Sequence, residues 1–151
     1  MSSKLPGTIT ETLYSIVIPI YNYSRYVERL LNSFPDDMSE EYEIIFVDDC
    51  STDSTVEVIK SHFLLERIVL LSTKTNSGTA KARNMGANYA KGRYLLFFDT
   101  DITFMPDTFS NMEMFINNFP CSQCCLLVLR NRFRLSFQSF QCVHMLFFRL
   151  L

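Results

Sequence analysis

The feature that most constrains the fold is a series of four short apolar segments, each of which ends abruptly in polar or charged residues. They read YSIVIP from Tyr14, EIIFV from Glu43, IVLLS from Ile68 and YLLFF from Tyr94. Runs of this length, rich in β-branched and aromatic residues, predict buried strands. Because these strands are apolar throughout, we expect the sheet to be covered on both faces.

Helical patterns separate the predicted strands. Ser24 is expected to cap the first helix, and Met105-Pro106-Asp107 is expected to open the fourth. The third pattern runs from Gly78 to Lys91, and Gly92 is expected to end that helix. Strands that alternate with helices predict parallel βαβ units. The expected fold class is α/β, with a mostly parallel, Rossmann-like sheet and helices on both faces.

Polar residues follow each predicted strand, and the carboxyl ends of parallel strands meet at one edge of a sheet. Ligands bind at that edge in open α/β sheets. The sequence therefore predicts one polar site built from four loops. The residues expected there are Pro19-Ile20-Tyr21-Asn22 after the first strand, Asp48-Asp49 after the second, Asn76-Ser77-Gly78 after the third, and Asp99-Thr100-Asp101 after the fourth.

The segment Asp99-Thr100-Asp101 is the most informative part of this edge. Two carboxylates one residue apart in an extended segment project to the same side, so both can reach one cation. Oxygen ligands without a neighbouring histidine favour Mg²⁺ or Mn²⁺ over zinc. The alternative is that the two acids only cap the strand end and the following helix.

Three further side chains at this edge suit a nucleotide. Tyr21 offers a flat face on which a base can stack, and Asp49 can accept a hydrogen bond from a base. Arg83 can bind a phosphate beside Gly78, where the backbone permits close approach. Tyr21 and Arg83 also have plain structural explanations, packing for the tyrosine and a solvated helix charge for the arginine. For the polar cluster after the second strand, the alternative is that Asp48, Ser51 and Asp53 only cap the loop and the helix.

Four motifs occur in order along the chain: IVIPIYN, IIFVDDCSTDST, NSGTAKARNMG and GRYLLFFDTDITFMPD. Together they resemble the nucleotide-sugar half of the family 2 glycosyltransferases, which have the GT-A fold. The resemblance extends from about Tyr14 to Phe119. It implies that Tyr21 and Asp49 contact the base and that Arg83 lies near the nucleotide.

The same resemblance implies a metal site formed by Asp99 and Asp101. Asp101 would ligate a Mn²⁺ or Mg²⁺ ion that bridges the diphosphate, and Asp99 would lie near the ribose and the sugar. Pro19, Asn22 and Gly78 would belong to the same nucleotide-sugar site.

The implied reaction is a metal-dependent transfer of a sugar from a nucleotide-diphospho-sugar, with a UDP-sugar as the expected donor. The anomeric carbon is inverted when a deprotonated acceptor hydroxyl attacks it, and the role is cell wall or polysaccharide biosynthesis. The acceptor, whether glycan, lipid or protein, stays open. All 16 acidic residues lie within residues 1–120, which argues against nucleic acid as a partner and favours a cation beside the anionic donor.

The last 31 residues differ from the rest, because residues 121–151 contain no glycine, proline or acid. We expect a donor domain over residues 1–120, an atypical apolar tail over 121–151 and an apparent truncation at the C-terminus. The catalytic base is unknown. Glu113 is the only acid after Asp107, and neither Glu113 nor His144 is expected to serve.

The sequence also bears on the compartment. The start MSSKLPGTITET lacks an apolar run, so neither a signal peptide nor an anchor is expected. The five cysteines do not suggest a secreted disulfide framework. We expect a cytoplasmic protein, with the apolar tail as the surface for a peripheral membrane contact or a protein partner.

Three alternatives remain at this point. A chain without a base could bind the donor and transfer nothing. LLFFDTDIT also matches the nucleophile motif of haloacid-dehalogenase-like phosphatases, although no lysine follows Lys91. Finally, a zinc site could be formed by Cys121, Cys124, Cys142 and His144.

Overall fold

The computed structural model describes residues 12–36, 38–118 and 126–129, and these contain five strands and four α-helices. The strands are β1 (Tyr14–Ile20), β2 (Tyr42–Asp48), β3 (Ile68–Ser72), β4 (Tyr94–Phe98) and β5 (Leu126–Leu129). The helices are α1 (Ser24–Leu31), α2 (Thr55–Ser61), α3 (Thr79–Tyr89) and α4 (Thr108–Asn118), and a 3-10 helix (Phe63–Arg67) follows α2.

The five strands form one sheet in the order β3-β2-β1-β4-β5, and every pair of neighbours is parallel. A helix lies between each pair of consecutive strands along the chain. The predicted α/β class with a parallel sheet is therefore confirmed. β1 is central because it pairs with β2 on one side and with β4 on the other.

The sheet has a separate apolar core on each face. Ile16, Ile18 and Ile20 of β1 face one core, together with apolar residues of α1, α2 and α4. Val17 faces the other core, together with Ala82 of α3. Successive strand residues point to opposite faces, so a fully apolar strand such as β1 serves both cores.

Three tyrosines lie side by side at the amino end of the sheet. Tyr14 is in register with Tyr42 and Tyr94, and its ring centroid lies 4.5 Å and 5.6 Å from theirs. The Tyr42 hydroxyl donates to Glu113 Oε1 at 3.0 Å, which ties α4 to this edge. Burial and the nearby Glu113 raise the pKa of Tyr14 to about 12. Glu113 thus lies at the edge opposite the strand carboxyl ends.

Two terminal signals read from the sequence have other roles in the structure. Gly92 does not end α3, because the helix stops at Ala90, which is extended. A Cβ on Gly92 would lie 2.7 Å from the Ser15 backbone nitrogen, so the glycine permits close approach to β1. Ser24 is the first residue of α1 and not its N-cap, which is Tyr23, and the Ser24 backbone N–H donates to Asp53 Oδ2 at 3.1 Å.

Part of the atypical tail belongs to the sheet, since β5 pairs with β4 beyond residue 120. The predicted domain boundary at residue 120 stays a prediction. The cysteines and histidine of the zinc alternative lie outside the described residues. In the part of the chain that is described, no helix has the length and apolar character needed to cross a membrane.

Gly86 gives a direct test of how α3 packs on the sheet. A Cβ at this position would overlap Val17 Cγ1. Forcing extra atoms into a packed interface lowers the free energy of unfolding by about 1–3 kcal/mol. Replacing glycine by alanine inside a helix raises it by about 1 kcal/mol, because alanine has the higher helix propensity. We therefore expect Gly86→Ala to lower the free energy of unfolding by up to about 2 kcal/mol in urea titrations.

The control for this prediction is a double-mutant cycle with Val17→Ala, which removes two of the three methyl groups that the new Cβ would meet, including the nearest; the third belongs to Val47. The cost of Gly86→Ala should shrink in that background. An equal cost in both backgrounds would contradict this packing of α3 on β1.

Candidate functional site

A cleft of about 360 Å³ opens at the carboxyl ends of β1 and β4. The strand order reverses between these two strands, and such reversal points are where ligands bind in open α/β sheets. The cleft is lined by Pro19, Ile20, Tyr21, Tyr23, Asp49, Thr79, Ala82, Asp99, Thr100 and Asp101. Seven of these ten residues were expected at this edge from the sequence.

The acid segment after β4 has a different local conformation from the one expected. β4 ends at Phe98, and Thr100 and Asp101 form a turn instead of an extended continuation of the strand. The premise that strand alternation aligns the two carboxylates was therefore wrong. Asp99 and Asp101 nevertheless both line the cleft, on either side of the buried Thr100.

Asp99 is held by an arginine from α3. Arg83 Nη2 lies 2.5 Å from Asp99 Oδ1 in a half-buried ion pair. Arg83 itself is not among the cleft-lining residues, and its buried Nε has no hydrogen-bond partner among the described residues. The arginine therefore offsets the charge of one carboxylate at the cleft. Its predicted place near a nucleotide stays a prediction.

Asp101 is the carboxylate that is more available to a cation. Among the described residues, only its backbone carbonyl has a hydrogen-bond partner, Arg29 Nη2 at 3.4 Å. No group of three or more histidine, cysteine or acidic side chains that could hold a metal occurs in the described part of the chain. Two carboxylates at one cleft still fit Mg²⁺ or Mn²⁺, since such ions often take their other ligands from water and substrate phosphates.

Asp49 organises the loop before α3. Its buried carboxylate accepts the backbone N–H groups of Ser77 at 2.9 Å and Gly78 at 2.7 Å, and the hydroxyls of Thr73 and Ser77. Burial opposes ionisation, but these hydrogen bonds together lower the pKa of Asp49. Most of its accepting capacity is thus used inside the protein. The prediction that Asp49 contacts a base remains untested.

Gly78 does not line the cleft but sets the start of α3. Its φ of +88° lies in the region that favours glycine. This conformation lets the Gly78 N–H reach Asp49 while Thr79, the next residue, faces the cleft. The role of Gly78 in the structure is therefore to place the first turn of α3.

The loops after β1 and β2 are bonded to each other. The Asn22 backbone N–H donates to Ser51 Oγ at 2.9 Å, and Asn22 Oδ1 accepts the Thr52 N–H at 2.7 Å. Asp48 accepts the Ser51 N–H at 3.1 Å. Asn22 has a φ of +52° and lies outside the cleft lining. Its contacts are those of a residue that joins two loops.

Aromatic side chains stand at the mouth of the cleft. Tyr21 is 42% exposed and lines the cleft, as does Tyr23. The ring of Tyr23 packs against Tyr26 of α1 at 5.3 Å between centroids. Tyr21 therefore presents an accessible side chain to the cleft, whereas the ring of Tyr23 is held by its contact with Tyr26.

Three lining residues were not among those expected at this edge: Tyr23, Thr79 and Ala82. Thr79 and Ala82 are three apart on α3, so they lie on one face of the helix. The sequence signal was available, because both follow the glycine that was predicted to begin that helix.

The comparisons with known proteins identify the family of the chain. The model of the family described as Glycosyl transferase family 2 matches residues 15–135. TarS of Staphylococcus aureus (strain Mu50 / ATCC 700699), named as a poly(ribitol-phosphate) beta-N-acetylglucosaminyltransferase, is 34% identical over 107 residues, covering 69% of this chain and 19% of TarS.

Two solved structures share the fold. The crystal structure of S. aureus TarS 1-349 in complex with UDP-GlcNAc has a TM-score of 0.66 and 32% identity, covering 72% of this chain and 32% of that one. The mannosyltransferase PcManGT from Pyrobaculum calidifontis, in complex with GDP-Man and Mn²⁺, has a TM-score of 0.65 and 22% identity, covering 74% and 34%. The predicted GT-A fold is thereby confirmed. The chain spans less than half the length of the curated relatives it matches.

Asp53 makes the stability of the loop region depend on pH. Lost solvation opposes its ionisation, but hydrogen bonds from Thr55 and Ser24 lower its pKa from 3.8 to about 2. A carboxyl whose folded pKa is depressed stabilises the fold above its unfolded pKa and loses that effect as pH falls through the folded pKa. We expect stability to decline between about pH 4 and pH 2, and less steeply in Asp53→Asn.

The measurement is the urea midpoint across that pH range, with Asp107→Asn as the control. Asp107 is exposed, and its side chain has no hydrogen-bond partner among the described residues. An acid dependence in Asp53→Asn as steep as in the parent chain would show that Asp53 does not contribute.

Proposed function

Because the chain belongs to glycosyl transferase family 2, we propose that it transfers a sugar from a nucleoside-diphosphate sugar to an acceptor hydroxyl. The observation that carries the proposal is the cleft at the β1–β4 reversal, which brings Tyr21, Asp49, Asp99 and Asp101 together. An aromatic ring can stack on a base. A group of acids can bind the cation that accompanies a diphosphate.

The donor is a UDP-sugar in this proposal. The solved TarS structure that resembles this chain contains UDP-GlcNAc, and the likeness exceeds 30% in sequence. TarS is named for transfer to poly(ribitol-phosphate). We extend this to an acceptor of the same chemical class, a hydroxyl on a cell-wall or related polysaccharide polymer.

The residues of the chain have separate tasks in this reaction. Tyr21 stacks on the base, and Asp49 fixes the Ser77-Gly78 loop so that the first turn of α3 faces the cleft. Arg83 holds Asp99 beside the sugar end of the site. Asp101, helped by Asp99, holds Mn²⁺ or Mg²⁺.

The cation supplies charge stabilisation for the departing diphosphate, which an acidic cleft alone would repel. The acceptor oxygen forms a bond to the anomeric carbon from the face opposite the leaving group, and the bond from that carbon to the diphosphate oxygen breaks. The acceptor proton passes to a base, and UDP leaves. The anomeric configuration is therefore inverted.

The base is not one of the carboxylates that line the cleft in the described residues. Asp49 is occupied by its loop, Asp99 by Arg83, and Asp101 is assigned to the cation. Glu113 is bonded to Tyr42 at the far edge of the sheet. We infer that a group outside this set accepts the proton, since a base must reach the acceptor hydroxyl.

This distribution of acids favours a second candidate, a chain that binds the donor without transferring the sugar. The two candidates differ in one measurable outcome. A transferase releases UDP from a UDP-sugar in the presence of an acceptor, whereas a binding protein retains the donor intact. The phosphatase alternative is disfavoured, because Asp99, its nucleophile, is engaged with Arg83 and the family match points elsewhere.

Asp101→Asn tests the cation site. Removing a charged ligand should weaken Mn²⁺-dependent UDP binding by about tenfold or more. Mutating residues that only support the ligands of a metal already lowers metal affinity or activity about 10–100-fold. Isothermal titration of UDP with and without Mn²⁺ measures this. Asp107→Asn makes the same chemical change six residues away, outside the cleft lining, and should bind as the parent does. Equal UDP affinity in both variants would refute the assignment.

Tyr21→Ala tests the base contact. Base stacking on an aromatic ring is worth about 1–3 kcal/mol, so UDP affinity should fall about fivefold to a hundredfold. Tyr89→Ala is the matched control, because Tyr89 is 45% exposed, close to the 42% of Tyr21, but lies outside the cleft lining. If ribose 5-phosphate lost as much affinity as UDP did, the effect would not come from stacking.

A further inference from the structure

The acid turn, Asp99-Thr100-Asp101, belongs to a segment without regular secondary structure. β4 ends at Phe98 and α4 begins at Thr108, so the residues between them, including Asp99 and Asp101, depend on side-chain and backbone contacts for their position. The Arg83 ion pair fixes the start of this segment at Asp99. Its later part needs a separate anchor.

That anchor is a single hydroxyl at the end of α1. Ser33 Oγ donates to the Leu30 carbonyl at 2.7 Å and accepts the Phe104 backbone N–H at 3.0 Å. Ser33 and Phe104 are 71 residues apart in sequence. One side chain therefore both completes the last turn of α1 and bonds the chain three residues beyond Asp101.

Two other contacts help to hold the same part of the segment, one to α1 and one to aromatic rings outside it. Arg29 Nη2 lies 3.4 Å from the Asp101 carbonyl, a long and exposed contact. The buried ring of Phe104 packs against Phe34 and Phe98, with centroids 4.6 Å and 5.0 Å away. The ring fixes where Phe104 lies, and the Ser33 bond fixes the direction of its backbone.

We propose that Ser33 is a positioning residue for the cation site, acting through the Phe104 backbone to set the reach of Asp101 into the cleft. The inference rests on the proposed function, because the cation belongs to that function. Metal ligands must be held to within about 0.5 Å of their productive position. A segment without helix or strand hydrogen bonds reaches that precision only through anchors of this kind.

The chain contains a matched control for Ser33. Ser61 lies at the end of α2, and its hydroxyl donates to the Val58 carbonyl at 3.0 Å, the same local bond to the residue three positions earlier. No long-range N–H donates to Ser61 among the described residues. Ser61→Ala therefore removes the local bond alone, whereas Ser33→Ala removes both, and Ser33→Thr keeps the hydroxyl.

The first measurement is hydrogen exchange of the Phe104 amide in the protein without ligands. Ser33→Ala should raise its exchange rate about three- to tenfold, the range for losing one neutral hydrogen bond. Ser61→Ala and Ser33→Thr should leave that rate near the parent value. An unchanged Phe104 rate in Ser33→Ala would overturn the anchor, whatever the protein binds.

The second measurement is the Mn²⁺ affinity of the UDP-saturated protein by isothermal titration, with the urea midpoint of each variant recorded. Ser33→Ala should bind Mn²⁺ about three- to tenfold more weakly than Ser61→Ala, and Ser33→Thr should recover most of the affinity. Equal Mn²⁺ affinity in the two alanine variants would overturn the positioning role. If the parent chain bound neither UDP nor Mn²⁺, the proposed function would be refuted. The hydrogen bond between Ser33 and Phe104 would still be tested by the hydrogen-exchange measurement.

Discussion

The pairing of β1 with β2 on one side and β4 on the other is the constraint on which the site depends. Every residue of β1 is buried, because both faces of the strand are covered by helices. The loop that follows β4 therefore starts beside the loop that follows β1. The two loops lead in opposite directions along the sheet, because the strand order reverses between β1 and β4. The cleft is a consequence of this topology, and its chemistry comes from the residues that end the strands.

Charge distribution then gives each carboxylate a different task. Asp49 is kept ionised by N–H and O–H donors of the segment before α3, which lower its pKa despite burial. Asp99 is paired with Arg83. Asp101 has no comparable donor on its carboxylate among the described residues, so it is the acid with capacity for a cation. Three acids can line one cleft because two of them are already compensated by the protein.

Local sequence patterns predicted the strands and helices well, but they did not predict the contacts that individual residues make in the tertiary structure. β3 and β4 have the predicted bounds, because polar residues bracket their apolar runs. Gly92 and Ser24 carry typical helix-end signals, but contacts with Ser15 and Asp53 determine what they do. The acid turn was predicted as a site but with an extended shape. Its bond from Phe104 to Ser33 spans 71 residues, and no local pattern reports such a contact.

The central claim is that the acid turn and Tyr21 receive the two ends of one nucleotide diphosphate. A crystal structure of the chain grown with UDP and Mn²⁺, with the metal located by its anomalous scattering, tests this most directly. The account predicts a metal peak bonded to the Asp101 carboxylate and to the diphosphate, with the uracil against Tyr21. A UDP molecule bound away from Tyr21, or a metal peak with no contact to Asp101, would contradict it.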